Sequence, residues 1–128
     1  NAYDALIERG SEYIDASPSD IKDWTNTREK LFKRQRSSWP ARESKALRLC
    51  RSGQSTIKTF NNTVNSMHRQ VDRDALNKYV KESEPRILKA KDDLIEAGNL
   101  AQAITGEYQR QGRSSSHFVT AFRKACKR

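Results

Sequence analysis

From Ala46 to Val71 the apolar and small residues keep to one face of a helix for more than three heptads. Cys50, Ile57, Val64 and Val71 recur every seven residues, and Ala46, Gly53, Phe60 and Met67 repeat with the same period between them. The other faces carry Arg48, Arg51, Gln54, Lys58, Asn61, Asn65, Arg69 and Gln70. Only one stripe is therefore available for burial, and this segment predicts a long amphipathic helix covered by other helices. A second stripe runs through Ile87, Ala90, Leu94, Ala97, Ala101, Ile104 and Tyr108, alternating by four and three. Its small members permit close approach to the larger Ile57, Phe60, Val64 and Met67, which predicts an antiparallel pair with Phe60 and Leu94 in one core.

The remaining segments fit around that pair. Tyr3, Leu6, Ile7, Tyr13 and Ile14 predict a first helix over residues 2–15. Ser17-Pro18-Ser19-Asp20 combines an N-cap serine, a proline at the first helical position and an acid three residues after the cap, so a second helix starts there. It is expected to run to Arg36, before an interruption at Ser37-Ser38-Trp39-Pro40, because the residue ahead of a proline is steered away from helix. The central helix then spans about residues 40–71, roughly 48 Å at 1.5 Å per residue, with Gly53 either its weak point or a place of close backbone approach. Asp72 and Asp74 offer caps for a short helix ending near Pro85, and a long helix follows over about 85–111. Gly112 to Ser116 reads as a mobile linker and cap, and Phe118, Ala121, Phe122 and Ala125 give a last short amphipathic helix. The fold expected is all-α: a single domain over residues 1–128, a bundle of four to six helices with two long antiparallel members.

Composition agrees with thin helical packing. Of 128 residues, 34% are hydrophobic and 32% charged, enough apolar surface for a modest core but not for two. No run approaches the roughly 18 apolar residues of a membrane span. The chain begins with Asn1 rather than Met, as a fragment or processed product would; a soluble, intracellular setting is the expectation. Cys50 and Cys126 both sit on apolar faces and are expected to be buried free thiols, although sequence alone leaves a mutual disulfide open.

Charge is the feature that speaks about partners. The net charge is +9, unevenly placed: residues 1–27 hold six acids and two bases, 28–51 nine bases and two acids, 52–108 eight of each, and 109–128 six bases and no acid. Lys30, Lys33, Arg34 and Arg36 end one predicted helix, and Arg42, Lys45, Arg48 and Arg51 lie along the next, with Trp39 between. Together they suggest a basic corner that attracts RNA or DNA phosphates by Coulomb attraction and counterion release, joined by Arg123 and Lys124 of the second basic block. Trp39 either stacks on an exposed base or fills the core at the turn. A solvated face explains the same residues without a ligand.

Motifs for other chemistry are missing. The sequence has no Gly-rich phosphate loop, no His-Glu helix motif, no nucleophile elbow and no close Cys or His pairs for zinc. No metal, cofactor or transmembrane segment is expected. Asp92, Asp93 and Glu96 interleave with Lys89 and Lys91 as surface charge, and His68 reads as a boundary residue. His117 opens the basic terminal segment beside Arg113, Arg123 and Lys124, the residue types of a metal-independent ribonuclease, but no second base lies in sequence reach. Asn61-Asn62-Thr63 fits a glycosylation sequon inside a predicted helix. The leading expectation is a non-catalytic binding module for nucleic-acid phosphates. A helical interaction domain that takes a partner helix or an acidic protein comes second, and a small ribonuclease toxin domain using His117 third.

Overall fold

The computed structural model describes residues 18–70 and 72–127, so the helix expected over 2–15 lies outside the described residues. Three helices make up the described chain: α1 (Pro18–Arg69), α2 (Arg73–Arg110) and α3 (Ser116–Ala125). The all-α expectation holds, but the described residues form three helices rather than four to six, and the long pair is longer than its predicted bounds. α1 has 52 residues, a rod of roughly 78 Å, and α2 has 38. Contacts run in opposite order along the two helices, from Trp39 against Tyr108 to Phe60 against Tyr79. They therefore form an antiparallel hairpin, and α3 folds back onto both.

The extra length comes from Pro40 and Pro85, expected to end helices and found inside them. A proline removes one backbone donor and crowds the carbonyl four residues earlier, at about 3 kcal/mol in a helix interior. Both prolines are exposed, so neither ring has to be accommodated in the core. Burial of Trp39 on one side of Pro40 and of Ala90 beyond Pro85 holds the chain helical across each. Tertiary packing outweighs the local preference.

Helix ends follow their sequence cues. Pro18 opens α1 with Asp20 in its first turn. Asp72 caps α2 by accepting the Ala75 amide at 3.0 Å. At the other end Gly112 adopts φ +64°, its amide bonds Gln109 O at 3.0 Å, and the Arg113 amide bonds Tyr108 O at 2.9 Å. That pair of bonds is a Schellman cap, which turns the chain sharply toward α3. The segment expected to be a loose linker is thus hydrogen-bonded at its start.

The core sits where three helices meet. Trp39, Ala46, Ala101, Ile104, Tyr108 and Phe118 are buried together, with Leu47, Leu100 and Phe122 packed around them. Toward the hairpin's far end only two helices share the apolar stripe, and coverage falls. Phe60 and Leu94, expected to share a core, are both only half-buried; Phe60 stacks on Tyr79 at 5.8 Å, and Leu94 closes over Gly53 instead. Cys50 and Cys126 form a disulfide with Cα atoms 5.2 Å apart, which replaces the expected free thiols. Their separation of 76 residues in sequence was no obstacle, because the turn at Gly112 returns α3 to the middle of α1. Closing so long a loop stabilises by about 4 kcal/mol in the chain-entropy treatment.

Gly53 marks the closest approach of the hairpin. A Cβ there would stand 2.7 Å from Leu94 Cγ and 3.0 Å from the Ala90 carbonyl oxygen. In an open helix Gly→Ala gains about 0.5–1 kcal/mol, but here neither obstacle is a flexible side-chain tip. Gly53→Ala should therefore destabilise, by about 1–3 kcal/mol as overpacking. A urea titration showing an unchanged or higher midpoint would contradict this packing.

Candidate functional site

Chemistry concentrates where α1, α2 and the start of α3 meet. Glu107, 6% exposed, points from α2 into the hairpin. Its carboxylate accepts the Trp39 indole N–H at 3.1 Å and both terminal guanidinium nitrogens of Arg42, at 2.8 and 2.7 Å. Burial alone would raise the Glu107 pKa, but the bonds from Arg42 and Trp39 and the charge of Arg42 outweigh it and hold it below 4.5. The Glu107 hydrogen bonds, opposed by burial, hold Arg42 above its own ordinary value. Trp39 stacks on Tyr108 with centroids 3.7 Å apart. Ring and carboxylate together fasten one α1 position to two successive α2 residues.

A second polar group lies beside the first. The Tyr108 hydroxyl donates to Glu43 Oε1 at 2.7 Å, and His117 Nε2 stands 3.5 Å from that hydroxyl and 3.6 Å from Glu43 Oε1. Burial, then the bond to Glu43 and its charge, push the tyrosine up to about 12, so it stays a protonated donor at neutral pH. The structure thus supplies His117 with the neighbouring carboxylate that sequence reach did not. Acid–base cleavage of a phosphodiester needs its two proton-transfer groups on either side of the reacting phosphate. Here Glu43 is already occupied by Tyr108 and lies against His117 itself. The arrangement ties α3 to the hairpin and leaves no gap for a substrate between the pair.

The expected basic residues divide into two sets. Arg36 donates to Gln111 Oε1 at 2.9 Å, Arg42 is bound to Glu107, Lys45 pairs with Glu96 at 2.9 Å, and Trp39 is in the core. These four reach across to α2 or the residue that caps it, and the Trp39 ring fills the core rather than lying open for stacking. Lys30, Lys33, Arg34, Arg48 and Arg51 on α1, with Arg123 and Lys124 on α3, are exposed, and none is in an ion pair among the described residues. Because α1 is unbroken, Lys30 and Arg48 lie 18 residues apart in one helix, as do Lys33 and Arg51. At 3.6 residues per turn that is about five full turns, so each pair faces the same way. Ser37, Ala41 and Ser44, small and exposed, lie between them. The basic surface runs along one side of a single continuous helix, not around a corner between two helices.

Glu107, Gln111 and Glu43 were missed by sequence reasoning. Glu107 falls three residues after Ile104 and one before Tyr108, on the second apolar stripe, and a carboxylate there opposite an arginine-rich helix was the available signal. Gln111, which also donates to Phe32 O at 3.3 Å and Gln35 Oε1 at 3.1 Å, carried none. Among the described residues no cluster of His, Cys, Asp and Glu could hold a metal ion, and no helix is long and apolar enough to cross a membrane. No protein-family model, curated protein or solved structure matches the chain.

The Arg42–Glu107 pair gives stability a defined pH dependence. A carboxylate whose folded pKa is lowered contributes stability that is present above its unfolded value of 4.5 and is lost as pH falls through the lower folded value. Arg42→Ala should cost about 3 kcal/mol at neutral pH by leaving a buried charge unpaired. The gap between wild type and variant should shrink as pH falls through the lowered folded value, where Glu107 protonates in both. Thermal melts that differ equally at pH 7 and pH 3 would show that Arg42 acts through packing alone.

Proposed function

We propose that this protein is a non-catalytic binding module that engages the phosphates of RNA or DNA through the basic stripe of α1. The single observation that carries the reading is the continuity of α1 across Pro40, which aligns Lys30, Lys33 and Arg34 with Arg48 and Arg51 on one side of one helix. The two ends of the stripe, Lys30 and Arg51, are roughly 32 Å apart, a span of several phosphates on either strand. No carboxylate among the described residues neutralises it, and the small side chains in the middle let a strand lie close. Binding of this kind is driven by counterion release and carries little sequence preference. The aromatic contribution first considered for Trp39 falls away, since that ring is buried.

A specific observation also supports the partner-helix reading. Val80, Leu88 and Ile95 are 43%, 52% and 52% exposed on α2, spaced as one helical stripe. Beside Phe60, the first two border a shallow groove of about 370 Å³. The nuclease reading has no comparable support, for the reason given by the Glu43–His117 contact. As to setting, the Cys50–Cys126 link favours an oxidising compartment over the intracellular one first expected.

The test is charge reversal confined to the free stripe. Reversing Arg36, Arg42 or Lys45 would confuse folding with binding, because each holds α1 to α2. Lys30→Glu, Lys33→Glu, Arg48→Glu and Arg51→Glu together should leave the helical circular dichroism unchanged. They should lower the slope of log affinity against log salt by roughly 3 to 4 units, near 0.7–0.9 per lost contact. Equal binding by variant and wild type would retire the stripe and leave the apolar strip on α2 as the better account.

A further inference from the structure

A groove between α1 and the end of α3 gathers positive charge from two distant parts of the chain. It measures about 840 Å³ and is walled by Gln54, Lys58, Asn61 and Asn62 on α1 and by Lys124 and Lys127 at the chain's end. No carboxylate lines it. Bringing three ammonium groups around one opening raises the self-energy of the fold, and local sequence does not force it, since Lys58 and Lys124 are 66 residues apart. The cause is covalent: the Cys50–Cys126 disulfide holds the chain's end against α1. Gln54 Nε2 adds a hydrogen bond to the Cys126 carbonyl at 3.1 Å. Lys124 and Lys127 flank the bonded cysteine, so the bond keeps their backbone beside α1 and near Lys58.

We propose that this groove is a binding site for a polyhydroxylated ligand carrying two or more oxyanions, the chemistry of a sulfated or phosphorylated sugar. The lysines supply point charges for tetrahedral oxyanions. The carboxamides of Asn61 and Asn62 supply donors and acceptors in pairs, which match hydroxyl groups. Among the described residues no aromatic ring lines the groove, and these residues offer bases none of the stacking on which recognition of single strands depends. The volume lies within the usual range for ligand sites, about 300–1,000 Å³. This site is separate from the free stripe on α1 and does not require that the stripe bind nucleic acid.

Isothermal titration of the full chain at physiological salt tests the assignment with three probes. They are inositol hexakisphosphate, a heparin-derived sulfated hexasaccharide and a single-stranded oligonucleotide of matched charge. The expected result is saturable one-to-one binding of the phosphorylated or the sulfated sugar, whichever is tighter naming the source of the oxyanions. Lys58→Ala, Lys124→Ala and Lys127→Ala together should weaken it at least about tenfold, a change of roughly 1.4 kcal/mol. Lys30→Glu, Lys33→Glu and Arg34→Glu, at the far end of α1, should leave it unchanged. The lysines are exposed, and circular dichroism with an unshifted melt confirms that each variant is folded. Absence of saturable sugar binding, sugar binding indifferent to the three lysines, or tighter lysine-dependent binding of the oligonucleotide would each overturn the proposal.

Discussion

A carboxylate buried between two helices fixes how this molecule is put together. Removing Glu107 from water costs several kcal/mol unless donors replace the lost hydration, and the Trp39 indole and the Arg42 guanidinium do so with three hydrogen bonds. Those donors stand three residues apart on α1, on either side of Pro40. Only one register of α2 brings the carboxylate to both. Elsewhere the interface is built from Ala46, Gly53, Ala90, Ala97 and Ala101, whose smooth surfaces resist sliding poorly. A shift by a heptad would keep small residues facing apolar ones but strand Glu107 without donors. The polar cluster therefore supplies the specificity that the apolar stripe lacks, as a buried polar residue does in coiled coils.

The same cluster explains which parts of the molecule were legible in the sequence. Periodicity identified both long helices and their antiparallel pairing, because Cys50, Gly53 and Ala46 on one side and Ala90, Ala97 and Ala101 on the other form unbroken stripes. Caps at Pro18, Asp72 and Gly112 followed local rules that need no tertiary information. What failed were the boundaries at Pro40 and Pro85. Proline is read locally as a breaker, whereas burial of Trp39 and the contact network through Arg42 act across the hairpin. The disulfide was undecided for a related reason: sequence separation says nothing of spatial separation until the turn at Gly112 is known.

The candidate surfaces show the same division. Composition located the basic block, but not which of its members are free, and Arg36, Arg42, Lys45 and Trp39 proved to be attached to α2. Removing them and joining the two expected helices into one converts a diffuse corner into an array along one helix. The groove walled by Lys58, Lys124 and Lys127 had no signature at all, since its members come from distant parts of the chain and meet only once α3 has folded back onto α1. Stability and charge placement are thus linked. The contacts that join α1 to α2 and hold α3 in place are the ones that organise the exposed positive charge.

That linkage rests on α1 being one uninterrupted helix through Pro40, which a distance measurement addresses directly. Nitroxide labels carried by non-cysteine residues at positions 30 and 48 leave the Cys50–Cys126 bond undisturbed, and pulsed electron resonance reads their separation. An unbroken helix predicts a single narrow distribution near about 27 Å, broadened only by the label linkers. A distribution that is bimodal, or centred well below that value, would place a break at Pro40 and contradict the account.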